Sequence, residues 1–131
     1  METKLIAPCG MNCNICMAYL REKNKCLGCR YITPKNSISR VKCRIKNCKK
    51  LKETSSGFCF LCKDFPCERI KHLDKRYRAK YNMSEIENLL YIKKFGVRKF
   101  IQKEKKKWTC KKCGGTICCH RGVCFSCGSK K

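Results

Sequence analysis

The sequence predicts a small, metal-stabilised, mainly α-helical protein with irregular cysteine-rich loops and a C-terminal zinc-ribbon-like β-hairpin. Three observations carry this expectation. Cysteine supplies 16 of 131 residues, above the roughly 8–10% that marks a cysteine-scaffolded chain. Apolar residues recur at helical spacing from Ile70 to Ile101. From Trp108 onward, two C-x2-C pairs stand ten residues apart, each followed by glycine. The chain therefore divides into a cysteine-rich metal-binding module at 1–83, a basic helical hairpin at 84–107 and a zinc-ribbon-like tail at 108–131.

Residues 1–8 contain no apolar h-region of a signal peptide. No apolar run approaches the roughly 18–20 residues of a membrane span. The expectation is a cytoplasmic, membrane-free setting, where thiols stay reduced and clustered cysteines read as metal ligands before disulfides. Large apolar residues are too few and too scattered for a generous core, so metal-binding free energy is expected to supply part of the folding free energy.

The formal net charge is +24. About three tetrathiolate Zn2+ sites, each adding about −2, would leave the surface strongly basic. Such a field favours RNA, DNA or an acidic protein, although lysine-rich surfaces also serve solubility.

Taken in order, Pro8 and Gly10 bracket Cys9 in a turn, and Asn12 can cap a helix over 13–23 that places Cys13 and Cys16 on one face. Gly28 permits the tight Cys26–Cys29 turn that aims two sulfurs at one ion. Pro34, Asn36 and Ser37 mark a loop, and Ser39 opens an expected helix over 39–52 that carries Cys43 and Cys48. Residues 54–57, Thr-Ser-Ser-Gly, break it. Cys59 and Cys62 form a second C-x2-C turn. The run from Asp64 to Cys67 then starts a helix reaching about residue 80, with Asp64 in its cap region, Pro66 in its first turn, and a stripe of Ile70, Leu73, Tyr77 and Tyr81. Ser84 and Glu87 make a capping box for the next helix, which Gly96 ends. A last helix runs from Val97 to about Lys107.

Residues 93–107 hold Lys93, Lys94, Arg98, Lys99, Lys103, Lys105, Lys106 and Lys107 against Glu104 alone. This is the strongest local basic patch: a solvated helix face, or a polyanion footprint. In the tail, Cys110, Cys113, Cys124 and Cys127 have the spacing of two knuckles closing one tetrahedral Zn2+ site. Cys118, Cys119 and His120 are left over, as additional metal ligands, reactive thiols or plain hairpin residues. Trp108 is expected to pack the ribbon on the preceding helix.

The first module holds ten cysteines, and sequence alone does not fix their partners. Grouped by chain order, Cys26, Cys29, Cys43 and Cys48 make one quartet. Cys9, Cys13 and Cys16 must then borrow from Cys59, Cys62 and Cys67, with Cys13, Cys16, Cys59 and Cys62 as one zinc site. A 4Fe–4S cluster with Cys67 as fourth ligand is the alternative. The C-x3-C-x2-C spacing is also that of radical S-adenosylmethionine enzymes, but their barrel needs about 200 residues or more.

The order Cys9-Gly10-Met11-x-Cys13-x-x-Cys16-x-Ala18-Tyr19, Cys26-x-Gly28-Cys29, Cys43 and Cys48, then Cys59-x-x-Cys62-x-Asp64-Phe65-Pro66-Cys67, resembles a cysteine-rich prokaryotic domain-of-unknown-function family, number thirty-seven ninety-five. Met11 stands where that family usually has leucine. The resemblance covers roughly residues 7–75. It implies metal binding and a compact scaffold, and carries over no catalytic residue.

The leading functional expectation is a non-catalytic multi-zinc protein that binds nucleic acid or an acidic protein. With His72 and His120 as the only histidines, no catalytic constellation is visible, and all-thiolate zinc sites lack the open position catalysis needs. The alternatives are an iron–sulfur redox protein built on Cys9–Cys16 with Cys59–Cys67, and a thiol or metal sensor using spare cysteines.

Overall fold

A computed structural model describes residues 1–30 and 43–131. It contains three short 3-10 turns (Thr3–Leu5, Cys13–Ile15 and Cys59–Leu61) and five helices: α1 (Met17–Leu20), α2 (Lys49–Lys52), α3 (Glu68–Tyr81), α4 (Glu85–Phe95) and α5 (Val97–Trp108). Strands β1 (Ile117–Cys118) and β2 (Val123–Cys124) pair antiparallel, Ile117 opposite Cys124 and Cys118 opposite Val123. The described chain is thus mainly helical with a small hairpin, as expected. None of its helices is long and apolar enough to cross a membrane.

The expected helix over 13–23 is broken in two. Asn12 caps as predicted, its Oδ1 accepting from the Asn14 amide at 3.0 Å, but it caps only a 3-10 turn. Cys16 is extended, with ψ 135°, and α1 begins after it. Long-range bonds explain the break. The Ile15 carbonyl accepts from the Cys119 amide at 3.0 Å instead of from Tyr19. The Asn14 side chain, meanwhile, exchanges two hydrogen bonds with the backbone of Glu2.

Only part of the expected helix over 39–52 falls on described residues. There Cys43–Cys48 forms turns and only Lys49–Lys52 is helical. The Asn47 side chain and amide both donate to the Cys43 carbonyl, at 2.9 and 3.1 Å, and close a single turn. Residues 39–42, with Ser39 and Val41, lie outside the described residues.

Helix α3 starts later than Asp64, with Cys67 as its N-cap, after a cis Phe65–Pro66 peptide. Asp64 pairs with Lys50 instead of capping. Asn82, in the left-handed conformation, stops the helix. Half of the predicted capping box forms: Ser84 Oγ accepts from the Glu87 amide at 3.1 Å, while the Glu87 carboxylate pairs with Arg78 at 3.5 Å. Gly96 then separates α4 from α5.

Asp74 fastens α3 to the start of α4. Its carboxylate accepts from Ser84 Oγ (2.6 Å), the Ile86 amide (3.0 Å) and Arg78 Nε (2.6 Å). Burial opposes its charge, but these three donors outweigh it and hold the carboxyl below its usual range. Helix α4 is in turn seated on the first cysteine turn. Gly10 has φ +90°, and a Cβ there would stand 2.8 Å from the Glu85 carbonyl oxygen and 2.9 Å from Leu89 Cγ. Only glycine combines this conformation with this approach.

Helix α5 turns Phe100, Ile101, Glu104 and Trp108 inward and its lysines outward. Trp108 is buried and its Nε1 donates to Glu104 at 3.3 Å; Glu104 also accepts from Asn12 at 3.5 Å. The indole thus packs where the ribbon meets the preceding helix. One core cluster runs from Leu5 to Cys124 through Ile15, Ile70, Leu89, Trp108 and Ile117. A second, smaller one joins Ile6, Ile92, Phe100 and Ile101.

Candidate metal centres

The tail quartet is built from local turns. Gly114 and Gly128, both at positive φ, each return an amide hydrogen bond of 2.9 Å to the carbonyl of the first cysteine of their knuckle, Cys110 and Cys124. The sulfurs of Cys110, Cys113, Cys124 and Cys127 all lie within 4.8 Å of one another, the one such set found among the described residues. Cys110 and Cys127 are 3.6 Å apart and Cys113 and Cys124 3.5 Å. Tetrahedral Zn–S bonds of about 2.3 Å place sulfurs at about this spacing.

Two backbone amides point at the quartet: Gly115 donates to Cys113 Sγ at 3.3 Å and Ser126 to Cys124 Sγ at 3.4 Å. Hydrogen bonds from Ser129 pull the Cys127 thiol down to about 6, and the amide of Cys127 lowers Cys124. At Cys113 the Gly115 amide favours the thiolate, yet the crowding of the other three thiols raises it to about 12. Four thiols this close resist joint ionisation without a cation, and the set could hold one metal ion.

The left-over residues of the hairpin face inward. Cys118 is fully buried, and burial drives the Cys119 thiol well up. His120 is half-buried. Its Nδ1 accepts from the Met17 amide at 3.3 Å and its Nε2 lies 3.1 Å from Tyr77 Oη, with its ring edge-on to Tyr77 and Tyr81. It docks the hairpin onto α1 and α3.

In the first module the cysteines line two cavities. Cys9, Cys13, Cys16, Cys26, Cys29 and Cys43 line one of about 700 Å3, whose wall also carries Arg44, Arg69, His72 and Arg76. Cys48, Cys59, Cys62 and Cys67 line another of about 30 Å3. Chain order groups Cys48 with Cys26 and Cys29; in the fold it faces Cys59, Cys62 and Cys67. The zinc site expected from Cys13, Cys16, Cys59 and Cys62 is not assembled: Cys13 and Cys16 line the larger cavity and Cys59 and Cys62 the smaller, and the link between the two segments is a backbone bond, the Cys59 amide donating to the Pro8 carbonyl at 3.0 Å.

Burial, then the nearby Cys67, Cys48, Cys62 and Cys43, pushes Cys59 up to about 12. Cys13 shares a thiol hydrogen bond with Cys29, which together with burial raises it far above its ordinary value. Burial, then Glu85, raises Cys9 as well.

Two charged groups beside these thiols carry no signal in the sequence. Arg30 donates to the Ile6 carbonyl at 2.7 Å and covers the Phe58 ring, but its Nη2 is buried without a hydrogen-bond partner. Burial lowers its pKa, against the pull of Cys13, Cys9, Cys29 and Cys59. A half-buried guanidinium among four sulfurs fits cysteines that carry negative charge, as bound thiolates do. Glu85 is fully buried with neither carboxyl oxygen hydrogen-bonded, and burial, then Asp74 and Glu104, raises it to about 8.

The basic residues of the helical hairpin, Lys93, Lys94, Arg98, Lys99, Lys103, Lys105, Lys106 and Lys107, are all exposed. A shallow groove runs along α5, walled by Tyr91 and by Lys99, Lys103, Lys105, Lys106 and Lys107. Lys103 Nζ lies 4.5 Å from the Tyr91 ring centre. Among the described residues these lysines have no salt bridge to a carboxylate.

A family model described as a protein of unknown function (DUF3795) matches residues 5–72, just over half of the chain. The comparison with curated proteins found no match, and neither did the comparison with solved structures.

Proposed function

We propose, from the premise that the chain belongs to the DUF3795 family, whose description carries no activity, that it is a non-catalytic, metal-scaffolded protein that binds nucleic acid. The observation that carries the binding half is the α5 groove: five lysines that make no salt bridge among the described residues, beside an aromatic ring, next to the ribbon. A phosphate backbone satisfies such a surface by releasing its counterions. The scaffold half rests on the tail quartet, whose all-cysteine donor set suits Zn2+ in a closed structural site.

The test is fluorescence anisotropy with labelled single-stranded RNA and duplex DNA over a range of salt. Log affinity should fall linearly with log salt. Replacing Lys103, Lys106 and Lys107 with Ala should flatten the slope by about one for each phosphate no longer neutralised. A flat salt plot, or a triple variant that binds like the parent, would overturn the reading. Binding confined to acidic peptides would transfer the groove to a protein partner.

One observation favours a second reading for the first module. Six cysteines around about 700 Å3 exceed the needs of a single tetrahedral ion, and the space suits a polynuclear iron–sulfur centre. Protein purified without oxygen would then be brown with visible charge-transfer absorption; colourless protein containing zinc and no iron excludes it.

A further inference from the structure

The two cavities share out the ten cysteines of residues 9–67 without overlap, six to one and four to the other. From the smaller set we infer that Cys48, Cys59, Cys62 and Cys67 form a closed metal site of their own, separate from both the ribbon quartet and the six-cysteine cleft. The inference rests on the chain being metal-scaffolded and fixes which four sulfurs share one ion.

The cavity at their centre measures about 30 Å3, against about 700 Å3 for the six-cysteine cleft. Its small size suits a single ion. Apart from Arg69, the rest of its wall is apolar: Ile45, Leu51, Phe65 and Ile70. Four thiols facing one another across an apolar void have few hydrogen-bond partners to offer each other, whereas a divalent cation satisfies all four at once.

The backbone is arranged to match. Cys59–Leu61 is a tight 3-10 turn, closed by the Cys62 amide on the Cys59 carbonyl at 3.0 Å, so Cys59 and Cys62 form a knuckle. Cys67 is the N-cap of the fourteen-residue α3, where the helix field favours a thiolate. Cys48 comes from a separate segment, in extended backbone just ahead of α2, and Leu51 of α2 also lines the cavity. Unlike the ribbon sulfurs, these four are spaced around a void, and coordination at about 2.3 Å per bond draws them inward.

The test is NMR of the full chain loaded with cadmium, in which cysteine Hβ protons correlate with the cadmium their sulfur holds. Cys48, Cys59, Cys62 and Cys67 should correlate with one cadmium resonance, and Cys110, Cys113, Cys124 and Cys127 with another. Cadmium shared between Cys48 and Cys26 or Cys29 overturns the inference. Cadmium at the ribbon alone also overturns it while leaving the metal scaffold standing, and cadmium at no cysteine overturns both.

Elemental analysis gives a second measure. Cys48→Ser and Cys67→Ser should each lose one ion per chain, and the double variant should lose the same single ion. Loss of two ions by the double variant places the two cysteines in different sites and overturns the inference. If either variant fails to fold, the NMR of the parent chain decides alone.

Discussion

The ribbon and the first module gather cysteines in opposite ways. The ribbon brings four sulfurs together from one short stretch, with Cys113 and Cys127 at the surface and each knuckle closed by an amide four residues on. The first module uses cysteines spread from Cys9 to Cys67, five of them buried, and its turns are held by distant elements: α4 against Gly10, the hairpin against Ile15. One set is prearranged by local geometry; the other exists only when the tertiary structure does. Damage to helix packing should therefore disperse the first module's sulfurs and spare the ribbon's.

The largest effect belongs to Asp74→Ala. It strands the Ser84 hydroxyl and the Ile86 amide and frees Arg78, a loss of about 3–5 kcal/mol at the usual cost of breaking a buried polar network. Chemical denaturation should show that loss, while zinc titration of the proposed ribbon site should give the same affinity in variant and parent. Equal loss of both would mean that the two regions are not separable.

Gly10→Ala comes next. The added Cβ meets the Glu85 carbonyl at 2.8 Å in a conformation alanine resists, for about 2–4 kcal/mol. Hydrogen exchange should rise across Cys9–Cys16 and α4, with the hairpin amides unchanged.

The third effect is not a fixed loss but a pH dependence. Glu85 titrates near 8 in the fold against an ordinary 4.5. Its raised value means the folded state favours the protonated acid, so its stabilising share is complete below about 4.5 and declines as pH rises towards about 8, at about 1.4 kcal/mol per pH unit at most. Glu85→Gln should remove that decline, read as the difference between parent and variant in unfolding free energy across this range. An unchanged pH profile would show that Glu85 is not the group responsible.

What could be read from the sequence divides along the same line. The Ser84 cap, the Gly96 break and the knuckles at Cys110 and Cys124 depend on residues a few positions apart, and all three stand in the structure. The continuous helix over 13–23 fails because its breaking bond comes from Cys119. The Asp64 cap fails because Lys50 claims that carboxylate. Glu104 reads as the lone acid in a basic helix; its role under Asn12 and Trp108 depends on a residue 92 positions away. Arg30 and Glu85 offer no signal at all, since only three-dimensional burial distinguishes them from any surface arginine or glutamate.

The bond from Cys119 to Ile15 also bears on the order in which the molecule assembles. Joining these residues closes a loop of about a hundred residues, whose entropy must be overcome before the contact is rewarded. The knuckles need only a few residues each and can form early. On this reasoning the hairpin is the surface on which the Cys13–Ile15 turn is set, and pulse-labelling hydrogen exchange should protect the Cys119 amide later than the knuckle amides of Gly114 and Gly128.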